Sequence, residues 1–244
     1  MKELMTHTIV GYPTLKKSEE LVDEMVKCGI KKIELQIPFS DPLADGPVIS
    51  HASEIALEKG IKVKDSFELM KKLTAKYREV DFYFMTYFNI VFNYGVSKFV
   101  LDSKKAGAKG LIVPDMPLDY EEDEHYYSAL QKANLSPIFV ISPVTDEKRL
   151  KEISNVAKDF VYLTSTIGTT GLRKTVNPKL KSYIKLVTKY FQIPLAIGFG
   201  ISSKEQIQEV HQMADIAVIG SAIIKKINED ETLKKAKEFL KTLV

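Results

Sequence analysis

Two carboxylates lie close together in the segment IELQIPFSDPLADGP, Ile33 to Pro47, in a setting where carboxylates are costly. Ile33, Leu35 and Ile37 alternate with Glu34 and Gln36, so a strand here turns its apolar side chains to one face and a carboxylate plus an amide to the other. A carboxylate buried on such a strand either finds hydrogen-bond partners or keeps its proton to higher pH, which is what a general acid working near neutrality requires. Asp45 follows in a Pro-, Ser- and Gly-rich loop just beyond the strand, where α/β enzymes gather reactive groups. Glu34 and Asp45 are therefore the candidate catalytic pair. The competing reading of Glu34 is a structural carboxylate paired with a lysine.

A second group of residues suits an anion. AIGFGIS passes Gly198 and Gly200 and reaches Ser202 and Ser203, both good helix N-caps; IGSAII repeats the pattern at Gly220 and Ser221. Glycines let backbone N–H groups approach a ligand, and helix N-termini carry partial positive charge, so the two turns together can hold a phosphate without a lysine. The same glycines could serve only to close tight turns. STIGTTGLRKT, Ser165 to Thr175, is longer and more polar than a simple turn and reads as a lid. Metal and nucleophile chemistry find no pattern. His7, His51, His125 and His211 are scattered and read as surface or loop residues, and the single Cys28 reads as a small helix-packing residue. Asp41, Asp115 and Asp119 read as caps or partner contacts.

The elements that must position these residues alternate along the chain. Apolar, β-branched runs recur at THTIV, KKIELQI, FYFMTYF, KGLIV, PIFVI, FVYLT, PLAIG and DIAVIG. Amphipathic segments intervene, among them Ser18 to Lys27, Ser97 to Lys105, Glu121 to Lys132, Asp146 to Val156, Pro178 to Tyr190 and Ser203 to His211. Such alternation implies parallel βαβ units, and eight of them at about 30 residues each match a closed (β/α)8 TIM barrel. An open doubly wound sheet is the architectural rival. With no linker or compositional break, residues 1–244 read as one barrel domain, in which the two glycine turns follow the seventh and eighth strands, where barrels commonly bind phosphate.

Composition excludes several classes. The 35 Lys and Arg nearly balance 32 Asp and Glu and are interleaved with them, as solvated helix faces are, so no nucleic-acid partner is expected. No apolar run approaches the length of a membrane span, and the first residues do not form a signal peptide; the reading is a cytoplasmic protein in a reducing compartment.

IELQIPFSDPLADGP resembles the signature segment of the tryptophan synthase α chain family, and the resemblance continues in order through MTYFN, LIVPDMP, VYLTSTIGTTG, GFGIS and GSAI. It implies a (β/α)8 subunit that cleaves indole-3-glycerol phosphate to indole and glyceraldehyde 3-phosphate. It further implies a β chain partner in an α2β2 assembly, with pyridoxal phosphate on the β chain and no cofactor on this one. By the same resemblance Glu34 is the general acid/base and Asp45 holds the indole N–H. Tyr87, Tyr162, Thr170 and Phe199 contact substrate, Thr170 from the lid, and Gly171, Gly200, Gly220 and Ser221 bind phosphate. A retro-aldol cleavage divided between two carboxylates in different environments suits these residue types.

The chain departs from the resembled family in two places. Gln36 stands where the family has glycine, on the same strand face as Glu34, and is expected either to hydrogen-bond Glu34 or to narrow the indole pocket. The first strand begins almost at once, without the N-terminal helix that many relatives place under the barrel, leaving Met1 to Met5 to close the bottom or the bottom exposed. Asp41 and the apolar Phe88, Ile90, Val91 and Phe92 are candidate β-chain contacts, the latter set equally able to start a buried helix. Two other functions fit the same residues: a barrel acting on another phosphorylated small molecule, and a weakly active or inactive relative that regulates a β chain.

Overall fold

The inward and outward faces of one short strand set the architecture. In the computed structural model, which describes residues 2–164, 178–198 and 200–244, β2 (Lys32–Gln36) is buried along its whole length. Ile33, Leu35 and Ile37 belong to an outer apolar cluster shared with the helices. The alternate residues Lys32, Glu34 and Gln36 project to the other side, where a smaller cluster of Met5, Tyr83, Ile112, Ala196, Ile216 and Val218 fills the interior of the sheet. A sheet with both faces buried has no tolerance for a one-residue slip, so this alternation fixes the register.

The other strands are β1 (Glu3–Ile9), β3 (Asp81–Met85), β4 (Gly110–Ile112), β5 (Ser136–Ile138), β6 (Val140–Ile141), β7 (Val161–Thr164), β8 (Leu195–Gly198) and β9 (Ile216–Ile219). All described pairings are parallel, in the order β5-β4-β3-β2-β1-β9-β8-β7-β6. The two ends of that order are consecutive pieces of one segment. Its first half pairs with β4 and its second with β7, while the side chains keep alternating across Phe139: Ile138 and Val140 inward, Phe139 and Ile141 outward. The sheet thereby returns on itself as a nearly closed barrel, and the expected fifth strand is present as two short pieces. Continuous backbone pairing on both sides of this seam excludes the open doubly wound sheet.

Helices cover the outside: α1 (Leu15–Lys27), α2 (Pro47–Glu58), α3 (Val63–Lys76), α4 (Phe88–Tyr94), α5 (Val96–Lys105), α6 (Glu121–Glu124), α7 (Tyr126–Ala133), α8 (Glu147–Ser154), α9 (Pro178–Tyr190), α10 (Lys204–His211), α11 (Ser221–Glu229) and α12 (Lys234–Leu243). Their starts follow local chemistry. Thr14, Asp146 and Ser203 cap α1, α8 and α10 by accepting backbone N–H bonds from Lys17, Arg149 and Gln206. The single helix expected over Glu121 to Lys132 is broken. His125 adopts φ 55°, and the Glu121 carboxylate accepts from the N–H groups of Tyr127 and Ser128 at 2.7 and 2.8 Å, capping a new helix where the first one stops.

Among the described residues, side chains of the strands themselves fill the bottom of the barrel. Met5 is fully buried in the interior. Beneath it Lys32 Nζ lies 3.4 Å from Asp81, 3.8 Å from Glu3 and 3.9 Å from Asp159, and the Tyr83 hydroxyl donates to Asp159 at 2.7 Å. The expected contribution of the first residues is thus shared with a charged plug from β1, β2, β3 and the approach to β7.

Candidate active site

Because the strands are parallel, their C-terminal ends share one rim, and Glu34 points inward near that rim at only 3% exposure. The histidine expected at the surface is its partner. His7 pairs directly with Glu34 in the β1–β2 register, is 7% exposed, and its Nδ1 lies 2.8 Å from Glu34 Oε1. Burial alone would lower the His7 pKa, but the Glu34 charge and hydrogen bond, with the charge of Asp45, outweigh it and raise it, so the imidazolium is favoured. No motif announces His7. Only its alternation with Met5 on β1, combined with the pairing of β1 against β2, could have pointed to it.

Gln36 does not reach Glu34, contrary to the first of the two expectations for it. Its Nε2 donates to Asp45 Oδ2 at 2.6 Å. Gln36 shares the inward face with Glu34, but its longer reach along the strand carries the amide past the rim to the loop that holds Asp45. Burial raises the Asp45 pKa, and the Gln36 hydrogen bond, the His7 charge and the Tyr87 hydroxyl only partly counter this, with Glu34 adding to the rise. Tyr87, fully buried and stacked on Phe39 at 5.3 Å between ring centroids, also accepts from the Ala44 N–H at 3.1 Å and so fixes the Asp45 loop. Burial, with the charges of Glu34 and Asp45, raises the Tyr162 pKa, which keeps its hydroxyl protonated as a donor. Its ring lies where a side chain at residue 198 would stand: a Cβ on Gly198 would be 2.7 Å from Tyr162 Oη. Four expected residues, Glu34, Asp45, Tyr87 and Tyr162, thus converge with His7 and Gln36. His7 Nε2, Glu34 Oε2 and Gln36 Oε1 are buried with no partner among the described residues, so the polar atoms of this cluster are only half used.

The glycine turns sit on the neighbouring strands. Gly200, at φ 63°, follows β8 with open space where a Cβ would be, in a conformation that side chains rarely adopt. Gly220 ends β9 and precedes α11; having no side chain, it leaves the first N–H groups of that helix free of a side-chain cap, and Ser221 opens the helix. A Cβ on Gly220 would stand 3.1 Å from the His7 ring, so this turn packs against the His7–Glu34 pair. Thr170, Gly171, Phe199 and the expected lid lie outside the described residues. A groove of about 680 Å³ lined by Lys71, Arg78, Lys104 and Lys109 lies at the opposite end of the strands, away from these groups.

A family model described as tryptophan synthase alpha chain matches residues 1–243. The chain belongs to the tryptophan synthase α chain family. It is 40% identical over 227 residues to the tryptophan synthase alpha chain of Desulfotalea psychrophila, covering 93% of this chain and 88% of that one. To that of Methanocaldococcus jannaschii it is 39% identical over 242 residues, covering 98% and 85%. Among solved structures, the tryptophan synthase A-subunit of Pyrococcus furiosus superposes with a TM-score of 0.90 at 27% identity, covering 99% of this chain and 97% of that one. A chain of tryptophan synthase from M. tuberculosis gives 0.89 at 29%, covering 99% and 91%.

At the rim, the structure selects the second of the two readings given for one apolar segment. The segment with Phe88, Ile90, Val91 and Phe92 forms α4, whose Val91 is buried and whose Phe88 and Ile90 pack on the outer cluster; only Phe92 stays exposed. Asp115 accepts from the Phe88 N–H at 2.8 Å, which makes it the cap that the sequence suggested. Among the described residues of the loops that follow the strands, Leu43 and Val144 are exposed apolar side chains, at 88% and 83%.

Proposed function

We propose that the chain cleaves indole-3-glycerol phosphate to indole and glyceraldehyde 3-phosphate at the His7–Glu34 and Gln36–Asp45 cluster, and passes the indole to a β chain. The observation that carries this reading is the convergence of a buried carboxylate, Glu34, and a half-buried one, Asp45, at one strand end, each held by a different partner and flanked by two glycine turns suited to phosphate. Family membership supplies the substrate. Glu34 Oε2, unpartnered, faces the reacting carbon as the acid and then takes the carbinol proton; Asp45 accepts the indole N–H and stabilises the positive charge that ring protonation creates. Gly200, Gly220 and Ser221 hold the phosphate, and Tyr87 and Tyr162 wall the ring, with Thr170, Gly171 and Phe199 assigned by resemblance alone. The chemistry needs no cofactor on this chain; pyridoxal phosphate belongs to the β chain, in an α2β2 assembly of the cytoplasm. Leu43 and Val144 support docking at the same rim, which shortens the path of a neutral, apolar product.

The decisive assay is indole release from indole-3-glycerol phosphate, with and without a β chain. Glu34→Gln serves as control and should lower kcat by about a hundredfold or more while the circular dichroism spectrum stays unchanged. A folded Glu34→Gln protein with wild-type turnover removes Glu34 from the mechanism.

A further inference from the structure

Two of the unpartnered buried atoms belong to one hydrogen-bonded pair, and that coincidence has chemical content. His7 Nδ1 and Glu34 Oε1 satisfy each other at 2.8 Å, which leaves Nε2 and Oε2, the far atoms of the same pair, without partners among the described residues. A buried donor or acceptor left unmade is expensive, and two in one pair near the C-terminal rim of the strands are groups a ligand can satisfy. The pair is sterically defined as well. Glu34 is fixed by the β1–β2 register, and the His7 ring is wedged against Gly220, where even a methyl group would crowd Cβ and Cδ2 at 3.1 Å.

We propose that His7 is the positioning residue of Glu34: its Nδ1–H holds Oε1, and the pair carries one further proton, which passes between Nε2 and Oε2 by exchange with water before substrate binds and enters the reaction through Oε2. The inference rests on the lyase reading above and deepens it. In the first step the Oε2 proton passes to the indole ring carbon, using a ring electron pair and leaving the ring cationic. In the second the carbinol hydroxyl returns a proton to Oε2, its carbon–oxygen bond becomes the aldehyde, and the carbon–carbon bond breaks with its electron pair restoring the indole. One proton leaves the pair and one returns, so no other reactant is consumed. Nδ1–H stays on Oε1 throughout and prevents the carboxylate from rotating away.

The charged groups that face His7 are Glu34 from β2 and Asp45 from the loop beyond it; Tyr162 of β7, facing the same two carboxylates, stays protonated. The β9 flank contributes Ile219 and Gly220, which carry no charge. Burial opposes a charged ring, but the two carboxylates overcome it, which is the balance a stored proton needs.

The test uses His7→Asn, which keeps an N–H near the Nδ1 position but cannot store a proton, and His7→Phe, which keeps the ring alone. Both should show kcat for indole-3-glycerol phosphate reduced at least about tenfold, with KM changed less than about threefold. In both, the alkaline limb of the kcat profile, on which the pair loses its proton, should move to lower pH. Variants that fold and retain the wild-type kcat and alkaline limb overturn the proposal. An NMR titration of the His7 imidazole in the ligand-free protein decides the pair independently of turnover. Its midpoint should lie above 6.5 and fall in Glu34→Gln; a midpoint indifferent to Glu34→Gln overturns the shared proton. Wild-type protein that cleaves no indole-3-glycerol phosphate refutes the lyase reading, and the titration then still decides the pair.

Discussion

Replacing Gln36 with glycine removes a donor that holds Asp45 from the barrel side, a 2.6 Å bond from a fully buried amide to a half-buried carboxylate. Hydrogen bonds to charged groups contribute about 1.5–3 kcal/mol, so the ionisation of Asp45 should shift toward the neutral acid by about tenfold or more. Burial already raises this carboxyl, and the remaining partners, His7 and Tyr87, do not replace the lost bond. An Asp45 that must be ionised to accept the indole N–H then becomes active only at higher pH. The acid limb of kcat/KM for indole-3-glycerol phosphate should therefore move upward in Gln36→Gly, while the plateau near pH 8 keeps its height to within about threefold. The same bond predicts a stability signature. Because it favours the charged carboxylate, Gln36→Gly should cost more stability at pH 8 than at pH 4, on top of about 0.5–1 kcal/mol for glycine within a strand. Urea unfolding at the two pH values, run beside the pH–rate profile, checks both. An acid limb that stays in place in the folded variant would show that the Gln36–Asp45 bond does not tune the reaction.

Gly220→Ala should press a methyl group against the His7 ring, weaken binding of glycerol 3-phosphate measured by calorimetry, and cost about 1 kcal/mol of stability in denaturant titration. Gly198→Ala is more severe, since its Cβ would stand 2.7 Å from Tyr162 Oη; turnover should fall with a loss of about 1–3 kcal/mol, and a fully active variant would exclude Tyr162 from the pocket wall. Lys32→Met leaves Glu3, Asp81 and Asp159 facing one another at the barrel bottom. It should cost about 2–3 kcal/mol, less than a fully buried pair because Asp81 is 40% exposed, and less again at pH 4 than at pH 8 because protonation relieves the repulsion; kcat should not change.

The barrel was legible because its strands and helices differ in period, and Glu34 because it alternates with apolar residues on a strand whose two faces are both buried. The split of the expected helix at His125 was not legible: the capping of α7 by Glu121 joins residues whose sequence pattern is that of an uninterrupted helix. Gln36 could be placed on the correct face but not given its partner, because strand periodicity fixes direction while the reach of a long side chain into a loop depends on where the loop folds. His7 stayed hidden for a related reason. Its spacing from Glu34 along the chain carries no signal, and the two meet only because β1 and β2 pair in parallel with His7 opposite Glu34.

The barrel interior separates structural from chemical polarity by a criterion that residue types do not contain. At the bottom, Lys32 meets three carboxylates and Tyr83 donates to Asp159, so the buried ammonium and hydroxyl there both have partners within the cluster. Between the two ends lies the apolar layer of Met5, Ile112, Ala196, Ile216 and Val218, which keeps the clusters apart. At the top, the polar groups are equally buried yet incompletely paired: Nε2 of His7, Oε2 of Glu34 and Oε1 of Gln36 each lack a partner among the described residues. A folded chain tolerates such groups only against a cost of about 1–3 kcal/mol each, and nothing in the packing of a barrel requires them. The lower arrangement serves stability, whereas the upper one keeps hydrogen-bonding capacity that a bound substrate can use. The same strand, β2, carries Lys32 into the first cluster and Glu34 and Gln36 into the second, so one alternating sequence of five residues serves both ends of the molecule.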